Sequence, residues 1–222
     1  REVFAIVGDE GDVVRPLKKL PQTITGIKPL NLEQSFAMSA LMDDDIKVIT
    51  LIGKAGTGKT LLALAAAFHK VYVEDVYSRV LVFRPTMPVS RDLGFLPGDV
   101  KEKMSPWMQP VYDAVELLRS MDRQGGRHTL PNDLLESGDL TIEPLTYIRG
   151  RSIPSQFIII DEAQNLTPLE VKTLITRVGR NSKIILTGDP HQIDNPYVDA
   201  LSNGLSCLVD KFRGRHLYAH VS

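Results

Sequence analysis

Residues 53–60 read GKAGTGKT; the apolar run IKVITLIG (46–53) leads into them and GKTLLALAAAFHKV (58–71) leads away. No other stretch restricts the fold as much. The pattern is G-x-x-x-x-G-K-[ST], and each part of it has a physical purpose. Gly53, Gly56 and Gly58 let the backbone curl, so the N–H groups of Lys54, Ala55, Thr57 and Leu61 join theirs in facing one anion. A helix starting at that point adds its positive end. Lys59 reaches the β- and γ-phosphates of a bound nucleotide, and the Thr60 hydroxyl can hold Mg2+. Such a loop works only between a buried strand and a helix, so the chain is expected to be an α/β protein.

The rest of the chain agrees with that class. RVLVF (79–83), QFIII (156–160) and KIILTG (183–188) read as buried strands, LTIEPLTYI (140–148) is strand-like, and HLYAHV (216–221) reads as a last strand. Helical stretches separate them: NLEQSFAMSALM (31–42) with Asn31 as its cap, a helix opening near GDVKEKM with Asp99 and Glu102 as a capping pair, and TPLEVKTLITRV. The last starts with a capping box, Thr167, Pro168 and Glu170. A further helix is expected to open at Asn195-Pro196. Strands rich in Val, Ile and Leu that alternate with helices predict a mainly parallel sheet covered on both faces. Residues 1–27 stand apart as a short β-hairpin around GDEGD and a Pro- and Gly-punctuated linker, so the α/β domain is expected over 28–222.

Composition narrows the function classes. With 43% hydrophobic and 24% charged residues the chain can bury a sizeable core, and its formal net charge of −1 argues against a simple polyanion-binding protein. A local basic groove remains compatible with that sum. Cys207 is the single cysteine and reads as a small buried hydrophobe. No apolar run approaches the ~18–20 residues a membrane helix needs, so a cytoplasmic, membrane-free protein is the default expectation. The chain starts at Arg1 rather than Met, as an excised piece of something longer would.

FIIIDEAQNL (157–166) poses the electrostatic question. Adjacent carboxylates, Asp161 and Glu162, end a buried strand, where they repel each other and are costly to desolvate. A magnesium–nucleotide site supplies the missing positive charge: Asp161 holds the metal through water, and Glu162 orients or deprotonates the attacking water. LTGDPHQID (186–194) adds Gln192, a neutral amide able to sense a γ-phosphate; Asp189 and Gln192 are also compatible with mere turn capping.

Together GKAGTGKT, FRPTMPVSRDLGFLPGD, TYIRGRSI, FIIIDEAQNLTPLE and ILTGDPHQID resemble the PhoH family of P-loop ATPases, which is related to superfamily 1 helicases. The resemblance implies a RecA-like P-loop NTPase fold with ATP and Mg2+ as cofactors. It implies Lys59 and Thr60 as the phosphate and metal pair, Asp161 as the metal-site acid, Glu162 as general base and Gln192 as the γ-phosphate sensor. Gln34 resembles the upstream glutamine that reads the adenine edge, although an amide three positions after Asn31 also suits a capping box. GIKPLNLEQSFA resembles the subtype in which a PIN ribonuclease domain precedes this one. The chain departs from the family at LYAHVS, where an ERS-bearing segment usually follows. Arg149 and Arg151 are candidate substitutes for that segment's arginine.

The family likeness also implies single-stranded RNA as partner. Arg84, Thr86, Arg91, Arg149 and Arg151 are the candidate nucleic-acid contacts, with Trp107 as a stacking platform. Lys172, Arg177, Arg180 and Lys183 read as a solvated face. With one RecA-like core, helicase-like work would call for a homo-oligomer, such as a ring. Two alternatives stay open: a nucleotide-dependent binding module without turnover, and a small-molecule kinase whose lid would use Arg123, Arg127, Arg149 and Arg151. No guanine-reading N-K-x-D occurs.

Overall fold

A computed structural model of the chain describes residues 5–7, 14–16, 20–85, 100–124, 130, 131, 134–148, 150 and 152–222. Thr86, Arg91, Asp99, Arg127, Arg149 and Arg151 lie outside the described residues, so the expectations attached to them concern the sequence alone. Strands β1 (Ala5–Val7) and β2 (Val14–Pro16) pair antiparallel, as the expected hairpin.

The main sheet holds six strands: β3 (Val48–Ile52), β4 (Val80–Arg84), β5 (Leu140–Pro144), β6 (Phe157–Ile160), β7 (Lys183–Gly188) and β8 (Tyr218–Val221). Their spatial order is β5-β4-β6-β7-β3-β8, and every pairing is parallel. The helices are α1 (Leu32–Met42), α2 (Lys59–Tyr72), α3 (Val100–Gln124), α4 (Pro168–Ile175) and α5 (Gly204–Phe212). The result is a RecA-like α/β fold.

Strand residues alternate between two cores, as the period-2 geometry of a strand requires. Ile49, Val80, Val82, Phe157, Ile159 and Ile185 pack with α1, α2 and the Val111–Val115–Leu118 stripe of α3. Leu81, Phe83, Ile158, Ile160, Ile184 and Leu186 face the other way, onto Val171 and Leu174 of α4 and Leu205 and Leu208 of α5. Because both faces are covered, the strands are apolar throughout rather than alternating in character. Helix α2 is buried from Leu62 to Val71 and forms the centre of the first layer.

Helix α4 starts with the expected capping box: the Thr167 side chain accepts from Glu170 N while Glu170 accepts from the Thr167 N–H. Helix α5 crosses it so closely that Gly204 N donates to Leu166 O at 2.6 Å. A Cβ at Gly204 would lie 2.4 Å from Val171 Cγ2 and 2.7 Å from Thr167 O. Gly204→Ala should therefore destabilise by about 1–3 kcal/mol through overpacking; urea unfolding monitored by circular dichroism measures it.

Three sequence expectations are corrected. The helix expected at Asn195-Pro196 opens instead at Gly204 under an Asn203 cap. Asn195 is buried and its side chain is engaged elsewhere: its Nδ2 donates to Asn165 O at 2.8 Å and its Oδ1 accepts from Tyr197 N at 3.0 Å. The strand expected over 140–148 ends at Pro144 and continues as a 3₁₀ turn, Leu145–Ile148. Lys183 belongs to no solvated face. It is fully buried, and its Nζ donates to Ala40 O at 3.0 Å, Leu41 O at 2.7 Å and Asp43 O at 2.7 Å. Leu41 O has no backbone partner at the end of α1, while Ala40 O and Asp43 O also accept from Asp43 N and Ile46 N, each at 3.3 Å, so the lysine completes the end of that helix from across the sheet.

Candidate functional site

The C-terminal ends of β3, β4, β6 and β7 share one rim of the sheet, where open parallel sheets hold their ligands. Residues 53–58 leave β3 there and run into α2. Gly56 and Gly58 adopt φ values of 79° and 84°, a left-handed region that a side chain would strain. Gly58 occupies the cap position of α2 and offers no side-chain acceptor, so the first amides of the helix stay open for an anion. Lys59 is folded over the loop, its Nζ donating to Gly53 O at 2.7 Å and Lys54 O at 2.8 Å.

Opposite the loop stands Asp161. Register fixes it: Phe83 pairs with Ile160 across β4 and β6, and Asp161 N donates to Phe83 O at 2.9 Å. Its Oδ1 accepts two hydroxyls, Thr60 from the loop and Thr187 from β7, each at 2.7 Å. Glu162 follows with φ 55°, a left-handed conformation that is sterically unfavourable for a residue with a side chain. Glu162 lines the same pocket as the loop. The two acids, the loop and Gln192 line one pocket of about 260 Å³ together with Ala55, Gly188 and Asp189.

The positive charge that the paired acids demand comes from the chain itself. Arg84 ends β4, level with Asp161, and its Nη2 lies 3.1 Å from Glu162 Oε1 while its Nε lies 3.6 Å from Asp161 Oδ2. Its Nη1 donates to Trp107 O at 2.5 Å. The sequence reading sets Arg84 at a nucleic-acid surface; its guanidinium is instead turned inward to the carboxylates, because the parallel register of β4 and β6 puts it beside them. Trp107 itself is half-buried on α3.

Gln164, fully buried, ties the remaining parts together. Its Nε2 donates to Glu162 Oε2 at 2.6 Å and Gln192 O at 2.8 Å, and its Oε1 accepts from Asp189 N at 3.2 Å. Gly188 makes room for it, since a Cβ there would lie 2.6 Å from Gln164 Oε1. Asp189 in turn accepts from Ala55 N of the loop at 3.2 Å and from His191 N at 3.0 Å. Asp189 therefore does more than cap its turn. The Gln192 residue lies at the pocket rim.

A second pocket of about 180 Å³ adjoins the first at Lys59 and is lined by Gln34, Ala37, Leu51, Gly53, Thr57 and Leu62 among others. Gln34 N donates to Asn31 Oδ1 at 2.8 Å, as a helix cap requires. The Gln34 Oε1 accepts from Leu30 N rather than Asn31 N, so no capping box closes. Its Nε2 donates to Thr57 O of the loop at 3.1 Å.

Of the residues singled out in the sequence, the structure brings together Gly53 to Leu61, Asp161, Glu162 and Gln192, and sets Gln34 against the loop. Thr187, Gln164 and the inward role of Arg84 escape the sequence reading. An amide two residues beyond Glu162 and a hydroxyl ahead of Gly188 are the signals that could have found the first two. Among the described residues no group of three or more His, Cys, Asp and Glu could hold a metal by itself, and no helix is long and apolar enough to cross a membrane.

Comparison with known proteins places these residues in a wider set. A family model described as PhoH-like protein matches residues 26–222. The protein PhoH2 of Bacillus subtilis (strain 168) is 50% identical over 216 residues, which is 97% of this chain and 48% of that protein. Protein PhoH2 of Mycolicibacterium smegmatis is 39% identical over 200 residues, 90% of this chain and 44% of that protein. The chain thus spans about half the length of these relatives. Among solved structures, the Sulfolobus solfataricus SWI2/SNF2 ATPase core in complex with dsDNA aligns with a TM-score of 0.46 and 21% identity, covering 80% of this chain and 36% of that one.

Proposed function

Because the chain belongs to the PhoH-like family, we infer that it binds ATP with Mg2+ and hydrolyses it, in the service of handling single-stranded RNA. The observation that carries the hydrolytic reading is the junction of Thr60 and Asp161 at 2.7 Å, with Glu162 beside them in the same pocket. The donor set suits the metal. Mg2+ prefers oxygen ligands and keeps several waters and substrate phosphates, so one hydroxyl and one carboxylate are a sufficient protein share. When bound, the metal neutralises phosphate charge and fixes the phosphate geometry. Lys59 exchanges its loop carbonyls for the β- and γ-phosphates. Glu162 orients the attacking water and accepts its proton, while the Gln192 amide reaches the γ-phosphate from the rim. The adjoining apolar pocket, with Gln34 on its wall, is the place for the base.

RNA enters this reading through the family resemblance and through the segment that follows β4. Phosphate release measured with and without single-stranded RNA tests it. Release that rises several-fold on adding RNA, and is lost in Glu162→Gln, is the expected result. Nucleotide binding with no release under either condition would favour a switch that only binds, and transfer of phosphate to a small acceptor would favour a kinase.

A further inference from the structure

Arg84 is the one cation among the described residues that touches both acids, and it reaches them from outside the phosphate pocket. Asp161 and Glu162 line that pocket and Arg84 does not. Its guanidinium is mostly buried, with 16% of the side chain exposed, and each of its three nitrogens meets a different residue: Asp161, Glu162 and the Trp107 carbonyl of α3. The planar fork meets these groups from three separate nitrogens, whereas a lysine would have to gather all of them around one. Strand β4 ends at this residue and Pro85 follows it, which restricts the backbone of Arg84 to extended conformations. On the far side, Trp107 belongs to α3, which runs unbroken from Val100 to Gln124.

We propose that Arg84 is a positioning residue that seats the Glu162 carboxylate from behind and joins that seat to α3 at Trp107, so that occupancy of the phosphate site is felt along α3. The proposal rests on the ATPase reading for the role of Glu162. Two adjacent carboxylates repel, and Glu162 already has an unfavourable backbone conformation. Without a counter-charge behind it, its side chain swings out toward water. With Gln164 on Oε2 and Arg84 on Oε1, both oxygens are held and the carboxylate faces the pocket. With Mg2+ held at Thr60 and Asp161, Arg84 would lose part of its 3.6 Å pairing with Asp161. The fork then shifts its weight toward Glu162 and the Trp107 carbonyl, and α3 registers the change.

Trp107 is the only tryptophan, so its emission reports this link directly. The experiment compares wild type, Arg84→Gln and Arg84→Lys with Mg2+ and adenylyl imidodiphosphate, following Trp107 fluorescence and calorimetric affinity, and measures steady-state turnover with ATP. In wild type the emission shifts on binding. In Arg84→Gln the shift is lost while affinity stays within threefold, kcat falls tenfold or more and KM stays within threefold. Arg84→Lys keeps the charge and recovers only part of kcat. In a Glu162→Gln background, Arg84→Gln lowers turnover by less than twofold more. The proposal is overturned by a wild-type emission that ignores the nucleotide, by an Arg84→Gln protein that keeps both shift and kcat, or by equal losses with and without Glu162. Loss of nucleotide binding in both variants would also overturn it, by making Arg84 a structural support. If wild type shifts its emission but releases no phosphate, the ATPase reading falls while the link to α3 stands.

Discussion

Glu162→Gln should lower the steady-state rate of phosphate release by about 10²–10⁴-fold, the range a positioned general base contributes, while leaving ATP affinity nearly unchanged. The amide has the shape of the carboxylate and disturbs neither Asp161 nor its bonds to Thr60 and Thr187. What it loses is the capacity to take a proton from water. Its new NH₂ would also face the Gln164 Nε2 donor that now bonds Glu162 Oε2 at 2.6 Å. Either that contact breaks or the introduced amide flips and gives up Arg84. A malachite-green assay beside calorimetric titration separates rate from affinity. A drop below tenfold would remove Glu162 from the chemistry and leave it as a wall of the pocket.

The second large effect is on stability. Lys183→Met keeps an unbranched apolar stem, without the amine, and strips three hydrogen bonds from the end of α1. Leu41 O is left without a partner, at a cost on the order of 1–3 kcal/mol, while Ala40 O and Asp43 O keep their backbone donors Asp43 N and Ile46 N; with the burden of a buried charge released, a net loss of about 1–2 kcal/mol is expected. Chemical denaturation measures it. The pH dependence has a definite sign. Burial pushes the Lys183 pKa down to about 7, with Lys70 and Lys47 pushing the same way and Asp44 and Asp43 opposing. Between that value and the ordinary lysine range the unfolded chain binds more protons than the folded one, so wild-type stability rises with pH across the window. Below about pH 7 the cost of burying the ammonium is fully present. Lys183→Met lacks this contribution, and its stability should run flatter through the same window.

How much of this was legible in the sequence depends on how local each feature is. The phosphate loop is contiguous, and its glycines have no substitute at φ 79° and 84°, so eight residues announced it. The apolar runs flanked by helices pointed to the parallel sheet for the same reason. Asp161 and Glu162 stood out because carboxylates at the end of a buried strand need an explanation. Arg84 could not be read, because the face it takes depends on which strand lies next to β4; only the pairing with β6 brings it to Asp161. Lys183 is a similar case. Its acceptors lie 140 or more residues earlier, and nothing in KIILTG distinguishes a buried lysine from a solvated one. Asn195-Pro196 carried a real helix-start signal, and a tertiary partner, Asn165, overrode it with bonds to backbone and side chain.

The strand order has one more effect, on the folding of the chain. The pocket draws on the loop after β3, on Asp161 and Glu162 after β6, and on Gly188 and Gln192 at and beyond the end of β7. In the sheet β7 lies between β6 and β3, although it follows both in sequence. A growing or partly unfolded chain therefore lacks the middle strand, and with it any site, until residue 188 has joined. On the proposed reading a nucleotide binds only the finished sheet, and by mass action each tenfold excess over its dissociation constant would add about 1.4 kcal/mol to the folded state. Such a ligand would guard against every opening that parts β3, β6 and β7, not merely the loop it touches.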